Sequence, residues 1–583
     1  MSSNLIALQN KFLGHGQTVY DALSRLHEAQ GFISDDDILK LARDHNLPPA
    51  HVRSTAKFYE NLAHDKPAKH VVKLCNGEAC RCAGYEEKYR AFCAQLGVDG
   101  AHGVSSKGVR FEHVTCLGLC GSGPNAMVNG VPVSLASNGT VEKVVAHVHK
   151  GDKLGIEEKS NALYFPASGK PCILMRYMNK DVLTLEKARA AGIYRSFEKA
   201  LKSMSPEQVR EQVKKSGLRG RGGAGFPTGL KLETVANAES EDGRRFVVIN
   251  ADEGDAGTYQ DKECLERDPH TQLEGALLAA YATGAKEIIF YIRFEYPNAH
   301  RIMGKAIEEA RNAGLLGENI LGLSFSCSAR IVKGQGAYIC GEETSLLRSI
   351  EGVPAIVSFK PPFPAQKGLY GCPTAVNNVE TLHNLPWIIE HGGDAYAKIG
   401  YERSRGTKLV SLNTRVKKPG LYEVGLGTTL REIIFNLAGG MADGHTFKAV
   451  QVGGPLGGIF PEKLLDTPLD FEAFTKAKGL LGHGGIVVYS DKDDLVKIGR
   501  WLMEFCAIES CGKCFPCRIG AVRGTELFDQ MMEGGATEQR LSLMRELCET
   551  MEFGSLCALG GAIPTPIKCL MDYFPQEFAR YKK

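Results

Sequence analysis

Cys511, Cys514 and Cys517 fall within seven positions of "ESCGKCFPCRIG", and Cys557 follows after 39 further residues in "GSLCALGG". Three thiolates on one tight loop can cap three corners of a cubane, with the fourth iron liganded from a distance, as [4Fe–4S] ligation requires. Zinc is the rival, but its four-cysteine sites usually come as two separated Cys-x-x-Cys pairs. Disulfides fit poorly, because neighbours in such a run cannot all bridge one another. Cys506 and Cys548 lie close enough in sequence to displace Cys557 as fourth ligand, yet both sit in amphipathic segments that predict helices with core-facing thiols. A second constellation joins Cys75 and Cys80 to Cys116 and Cys120 across 35 residues. Two short pairs suit a [2Fe–2S] rhomb, one pair of thiolates per iron, with a structural zinc site as the alternative. Cys82 and Cys93 fall outside that spacing and read as bystanders.

Between the clusters lies "GLRGRGGAGFPTGLKLE", residues 217–233. Gly220, Gly222 and Gly225 fit G-x-G-x-x-G literally, but a dinucleotide fingerprint needs a preceding strand, and "SPEQVREQVKKSGL" is helical in pattern. The physical content survives that mismatch: glycines let backbone N–H groups approach a phosphate or a flat ring, and Arg221 and Lys231 add positive charge. A flexible surface loop is the bland alternative. In "RRFVVINADEGDAGTYQD" a buried strand ends in Asn250, Asp252, Glu253 and Asp255, which is where α/β sheets bind ligands or simply turn. "ARIVKGQGAYICGEETSLLRSIEG" predicts strand, glycine turn and helix, with Glu342 and Glu343 placed to cap N–H groups or to hold ribose hydroxyls. "KPPFP" and "PTAVNNVETL" add Lys360, Phe363, Asn377, Asn378 and Thr381, rich in amides and in a ring able to stack. No Walker lysine follows any of these loops, which disfavours nucleoside triphosphate chemistry. NADH delivers a hydride and a cluster takes one electron at a time; a flavin joins the two regimes.

These groups need a large scaffold. The 583 residues predict about four domains of about 150 residues each. The 70 basic and 67 acidic residues leave a net charge of +3 with no long Lys/Arg run, so nucleic acid is not an expected partner. No stretch of about 18 apolar residues and no signal-peptide layout occurs, and a cytoplasmic protein without a membrane span is expected. In such a compartment 18 cysteines favour thiolate ligands and buried thiols over disulfides. "KHVVKLC" and "GVRFEHVTCLGLCG" run as strands into the two cysteine pairs, so these cysteines sit at strand ends of a small α/β domain.

"GRGGAGFPTG", "NADEGD", "AYICGEET", "KPPFP", "NNVETL", "ESCGKCFPCR" and "SLCALGG", in this order, resemble the NADH-binding flavoprotein subunit of respiratory complex I and its diaphorase relatives. The match runs from about residue 165 to the end, and residues 1–150 resemble the thioredoxin-like [2Fe–2S] subunit, here fused to it. That fusion, followed by Cys569 alone after Cys557, looks like the flavoprotein subunits of cytoplasmic NAD-reducing nickel–iron hydrogenases. The resemblance implies one [2Fe–2S] cluster, one [4Fe–4S] cluster, FMN and NAD(H). It also implies hydrogenase partners: a small iron–sulfur diaphorase subunit and the nickel–iron small and large subunits. The implied fold is α/β multidomain: a helical lead-in and thioredoxin-like domain over 1–150, an FMN/NADH-binding Rossmann-like α/β domain over 165–400, a β-grasp-like insert over 405–490, and a helical bundle with the cubane over 491–583. Carried over by motif, FMN contacts fall on Gly220, Arg221, Gly222, Lys231, Asn250, Asp252, Glu253, Tyr338, Gly341, Asn377, Asn378 and Thr381. NADH contacts fall on Phe226, Asp255, Glu342, Glu343, Lys360 and Phe363, with Glu342 and Glu343 nearest the chemistry. Leu232, Asp255, Ala256 and Phe294 replace a usual aromatic, Glu, Pro and Gly, departures expected at the outer rim of the nucleotide pocket. "VGGPLGG" in the insert either edges the active site or turns a hairpin. The diaphorase of a formate dehydrogenase and a fused complex I module share these motifs, and a non-catalytic redox adaptor is the reading from a different class.

Overall fold

The computed structural model describes residues 18–62, 68–100, 103–156 and 160–581. The start of the expected lead-in, residues 1–17, lies outside them. Among the described residues, seventeen strands form three main sheets and one short ribbon. In the first sheet, β1 (His70–Cys75) is central: it pairs parallel with β3 (Val109–Val114) and antiparallel with β4 (Asn125–Val128). β2 (Gly103–Val104) and β5 (Val131–Ser134) form its edges. Alternating apolar residues such as Val72, Leu74, Val109 and Phe111 face the helices Tyr85–Leu96 and Thr140–Lys150 and make this domain's own core.

The second sheet is all parallel, in the order β10 (Thr374–Asn378), β7 (Phe246–Ala251), β8 (Glu287–Ile292), β9 (Ser328–Lys333). Its strands are nearly continuous apolar runs, as a sheet covered on both faces requires. One face carries Pro269–Thr283, a helix buried on all sides except at Tyr281. The other face is covered by the lead-in helices Val19–Gln30, Asp35–Asp44 and Pro49–Phe58. Their Tyr20, Leu23, Val52 and Ala56 pack with Val248, Ile289, Tyr291 and Val332. These helices, which the sequence reading groups with the thioredoxin-like domain over 1–150, also cover a face of the flavin domain's sheet. The reason is unsatisfied apolar area: without them one face of a parallel sheet would be wet.

The third sheet is mixed, in the order β16 (Ile459–Phe460), β15 (Phe447–Val452), β17 (Gly485–Ser490), β13 (Thr407–Leu412), β14 (Gly420–Gly425), β6 (Leu163–Tyr164). Its last strand comes from the segment ahead of the flavin domain, so the insert is sewn to it. Glu423 on β14 seals the seam by accepting the backbone N–H groups of Ile173, Leu174 and Met175 at 2.7, 3.0 and 2.8 Å. The ribbon β11 (Gly400–Tyr401) and β12 (Ser404–Arg405) leads into this sheet. Helices Leu495–Glu509, Phe515–Gly534, Glu538–Gly554 and Pro564–Tyr573 close the chain as a bundle. Asp494 starts the first of them, accepting the N–H groups of Val496 and Lys497. None of the described helices is long and apolar enough to cross a membrane.

Candidate flavin site and metal centres

The parallel sheet aims its carboxyl edge at one place. Register pairs Asn377 with Ile249 and Asn378 with Asn250, so the polar ends of β10 and β7 stand side by side. The glycine loop closes over that edge: Gly220 N–H donates to Phe226 O at 2.8 Å, and Arg221 N–H donates to Thr381 Oγ1 at 2.8 Å. A Cβ at Gly222 would stand 3.1 Å from Asn378 Cβ, so a side chain there would crowd the loop against β10. Lys231 reaches Val376 O at 2.9 Å, and burial lowers its pKa. Asn250 donates to Gly341 O at 2.8 Å and fixes the turn before Glu342.

Three buried polar atoms here have no partner in the protein: Asp252 Oδ2, Asn377 Nδ2 and Asn378 Oδ1. Unpaired buried groups are costly unless a ligand satisfies them. Burial pushes the Asp252 carboxyl well above the usual range. Donors, acceptors and an open glycine loop at a parallel-sheet edge fit FMN, whose ring edge and phosphate need this mixture. Arg221 differs from the sequence reading. Its guanidinium is fully buried and turned away from the loop, donating to Tyr396 Oη at 3.0 Å and Arg405 O at 2.6 Å, and standing 3.9 Å from Glu380. Only its backbone faces the cradle. Glu253 likewise turns inward, accepting from Asp261 N at 2.9 Å, Lys262 N at 3.0 Å and Tyr296 Oη at 3.0 Å.

Above this floor lie the groups expected to meet a nicotinamide nucleotide. Glu342 caps the helix Glu343–Ile350, accepting from Thr344 N and Ser345 N at 2.9 and 3.0 Å. Its other oxygen and Glu343 both hold Lys360 Nζ at 2.8 Å. Burial would lower the Lys360 pKa, but the two carboxylates outweigh it and raise it. Phe226 and Phe363 are about half exposed, at 46% and 53%, so both rings are free to take a stacked partner. Tyr338 donates to Asp255 Oδ1 at 2.7 Å. Gly454 of "VGGPLGG" abuts the same Asp255, since a Cβ there would lie 2.5 Å from its Cγ. Ala256 packs on Gly77, and Phe294 lies under Lys73 Nζ at 4.6 Å, both of the thioredoxin-like domain. A fused neighbour occupies that surface.

In the first cluster site Cys75 ends β1, Cys80 lies in the helix Glu78–Cys82, and Cys116 and Cys120 flank a turn after β3. All four are buried, and the Cys116 and Cys120 sulfurs are 3.3 Å apart. Gly118 N–H donates to Cys116 Sγ and Asn125 Nδ2 to Cys80 Sγ, the pattern that stabilises thiolates. Hydrogen bonding from Cys120 brings Cys116 down to about 7. Arg293 ties this loop to the flavin domain, donating to Thr115 O at 2.9 Å and to Glu253 O. Cys82 is buried apart from the site, raised by burial beside Asp493, and Cys93 is half-buried on the helix Tyr85–Leu96.

The second site gathers Cys514 at the start of one helix, Cys517 in its first turn, Cys511 just before, and Cys557 at the start of the helix Ala558–Ala562. Leu556 N–H donates to Cys514 Sγ at 3.3 Å. Burial raises Cys557 to about 11, and the nearby Cys517 and Cys511 add to that. A Cβ at Gly560 would fall 2.9 Å from Cys517 Sγ, which leaves room there for glycine alone. Cys506 also reaches this site. Its nearness brings the Cys517 thiol down to about 7, and its sulfur donates to Leu559 O at 3.7 Å. Cys548 stays in the bundle core, raised to about 12 by burial. The cluster helix docks on the flavin site through Glu509, which accepts Tyr338 N–H at 2.7 Å, and through Phe505, edge-on to Tyr338. Lys513 donates to Val357 O at 2.6 Å and covers Phe359. Sequence reasoning missed Glu509, Lys513, Arg293 and His483; Glu509 and Lys513 carried a signal, standing at and within the cluster motif.

An α/β flavin fold flanked by two thiolate centres defines an NAD-dependent iron–sulfur flavoprotein oxidoreductase. Residues 7–149 match the thioredoxin-like [2Fe–2S] ferredoxin family, 213–387 the Nuo51 FMN-binding domain, and 497–581 the NADH-ubiquinone oxidoreductase-F iron–sulfur binding region. The NADP-reducing hydrogenase subunit HndC of Solidesulfovibrio fructosivorans is 44% identical over 385 residues, 66% of this chain and 78% of HndC. The NADH-quinone oxidoreductase F-subunit of Aquifex aeolicus is 42% identical over 411 residues, 70% of this chain and 94% of that one. A chain in a crystal structure of air-oxidized NAD+-reducing [NiFe]-hydrogenase superposes with a TM-score of 0.85 at 29% identity, covering 97% of this chain and 94% of that one. The chain belongs to the family of NADH-quinone oxidoreductase F-subunits, the NADH-binding flavoproteins. Its cofactors are FMN, NAD(H), one [2Fe–2S] cluster and one [4Fe–4S] cluster.

Proposed function

We propose that this chain is the diaphorase subunit of an NAD-reducing nickel–iron hydrogenase, working in the complex reaction H2 + NAD+ to NADH + H+. The observation that carries this reading is the likeness over 97% of the chain to a chain of an NAD+-reducing [NiFe]-hydrogenase, thioredoxin-like domain included. The quinone oxidoreductase relatives match only about 70% of it. The partners would be a small iron–sulfur diaphorase subunit and the hydrogenase small and large subunits, and the reading goes with a cytoplasmic location. Bound FMN supplies the exchange between a two-electron hydride and single electrons.

The chain's own residues supply position and field. Gly220, Gly222 and Thr381 shape the cradle, and Asp252, Asn377 and Asn378 offer the unpaired atoms. Phe226 and Phe363 would sandwich the nicotinamide nucleotide, with Glu342, Glu343 and Lys360 on its ribose and phosphates. Cys75, Cys80, Cys116 and Cys120 would ligate the [2Fe–2S] cluster, and Cys511, Cys514, Cys517 and Cys557 the [4Fe–4S] cluster. Metal analysis of the complex pulled down with this chain tests the assignment. Nickel is expected; molybdenum would indicate a formate dehydrogenase instead. The likeness to HndC favours NADP as a second reading of the nucleotide. The two carboxylates beside Lys360 oppose a further phosphate there, so kcat/KM should favour NADH, and equal values would favour NADP.

A further inference from the structure

A buried cluster beneath the flavin cradle is used by no step above. His483, at the loop before β17, is 5% exposed. Its Nδ1 lies 3.0 Å from Arg221 O in the glycine loop. Its Nε2 lies 3.2 Å from Glu253 Oε1 and 3.2 Å from Asp261 Oδ2. Both ring nitrogens therefore face acceptors only, which a neutral imidazole with one N–H cannot satisfy. Asp261 Oδ2 also accepts from Asn378 Nδ2 at 2.6 Å. A chain of hydrogen bonds results: Arg221 carbonyl, imidazole, Asp261, Asn378. It ties the two walls of the cradle together through a residue from another domain.

The charges around it favour the cation. Asp261 and Glu253 face the ring from the flavin domain, and Asp255 lies within electrostatic reach. Lys408 opposes them, but its Nζ is held by Glu380 and by the His483 carbonyl, with Gln260 Nε2 on the same carbonyl at 3.0 Å. Arg221 offers the ring its carbonyl, while its guanidinium lies toward Glu380 and Tyr396. Burial would lower the His483 pKa, and Asp261 and Glu253 outweigh it and raise it well above the ordinary value. The same three side chains could ligate a divalent ion. Glu253, however, already accepts two backbone N–H groups and Tyr296 Oη, so little of its lone-pair capacity is left.

We infer that His483 is a positioning residue for FMN: a buried imidazolium that locks the glycine loop to Asn378 and sets a positive charge beneath the cradle. The inference rests on FMN occupying the glycine-loop pocket. A cation there favours the reduced flavin, which carries more negative charge, so its loss lowers the flavin potential.

The test uses the full chain with its clusters, stripped of FMN, and titrates FMN by fluorescence quenching across pH. His483→Gln should weaken FMN binding about tenfold or more above about pH 7, and binding should recover as pH falls and Asp261, already near about 6, takes a proton. His483→Gln/Asp261→Asn, which removes both charges, should restore affinity to within about threefold. The potential of bound FMN in His483→Gln should fall by about 30 mV for each tenfold change in the affinity ratio of oxidised to reduced flavin. Wild-type affinity and potential in His483→Gln would overturn the inference. So would a stoichiometric divalent metal in the wild type that His483→Gln lacks. If His483→Gln does not fold, Asp261→Asn decides: an FMN pH profile identical to wild type overturns the inference, and loss of the inflection near about 6 supports it. A wild-type chain that binds no FMN would instead sink the pocket assignment itself.

Discussion

Lys360→Met removes the one cation between two carboxylates. Lys360 Nζ stands 2.8 Å from both Glu342 Oε1 and Glu343 Oε1, so those oxygens lie at most about 5.6 Å apart. Two unit charges at that spacing repel by about 3 kcal/mol at the effective dielectric of a protein surface and by about 1 kcal/mol in full solvent. The side chains are 29% (Lys360), 16% (Glu342) and 26% (Glu343) exposed, so the true value falls between those limits. A nucleotide phosphate at a comparable distance from these carboxylates would meet a repulsion of the same order once Lys360 is gone. KM for NADH should rise about fivefold to about a hundredfold, since each 1.4 kcal/mol is about tenfold. Turnover at saturating NADH should change little, because the loss is in binding rather than chemistry. Steady-state NADH oxidation with an artificial acceptor reads both constants, and the KM effect should shrink at high salt. Lys360→Arg, which keeps the charge, should recover most of the affinity. An unchanged KM, or a fall in kcat alone, would refute the reasoning.

Cys514→Ser should leave NADH able to bleach the flavin, while transfer to partner subunits collapses, because an oxygen ligand is a poorer partner for cluster iron. Full partner-driven turnover in that variant would make these cysteines structural. Glu380→Ala strips the counter-charge from Lys408 and Arg221, all three fully buried, and should cost about 3–5 kcal/mol in urea unfolding. A loss under about 1 kcal/mol would show that the network is not holding the insert to the flavin domain. Burial raises Glu274 from 4.5 to about 7, so the folded state binds the proton more tightly and stability declines as pH rises from about 4.5 to about 7. Glu274→Gln should flatten that decline, and an unchanged pH slope would place the titration elsewhere.

Both clusters were legible because thiolate spacing is a local property: Cys-x-x-Cys-x-x-Cys fixes one tight loop wherever it folds. The glycine loop and the strand ends with Asn250 and Asn377 were legible for the same reason. What the sequence hid was decided by segments far apart. Arg221 reads as a phosphate-facing cation until Tyr396 and Glu380 are seen to claim its guanidinium. His483 and Arg221 lie 262 residues apart, and nothing in "LGHGGIVV" announces that the imidazole underlies a flavin cradle. The lead-in helices look like part of the domain they precede, yet their apolar faces belong to a sheet that starts at Phe246. Ala256 and Phe294 touch Gly77 and Lys73 of the thioredoxin-like domain, contacts that the sequence alone does not show.

The central claim is that hydride taken from NADH at the FMN site feeds the [4Fe–4S] cluster held by the C-terminal bundle. Anaerobic rapid mixing of the full chain with NADH, followed by flavin absorbance and by electron paramagnetic resonance of rapidly frozen samples, tests it directly. The flavin should bleach first and the reduced [4Fe–4S] signal should follow, with neither seen in chain stripped of FMN. A cluster that NADH reduces without FMN, or one that stays oxidised behind a bleached flavin, would contradict it.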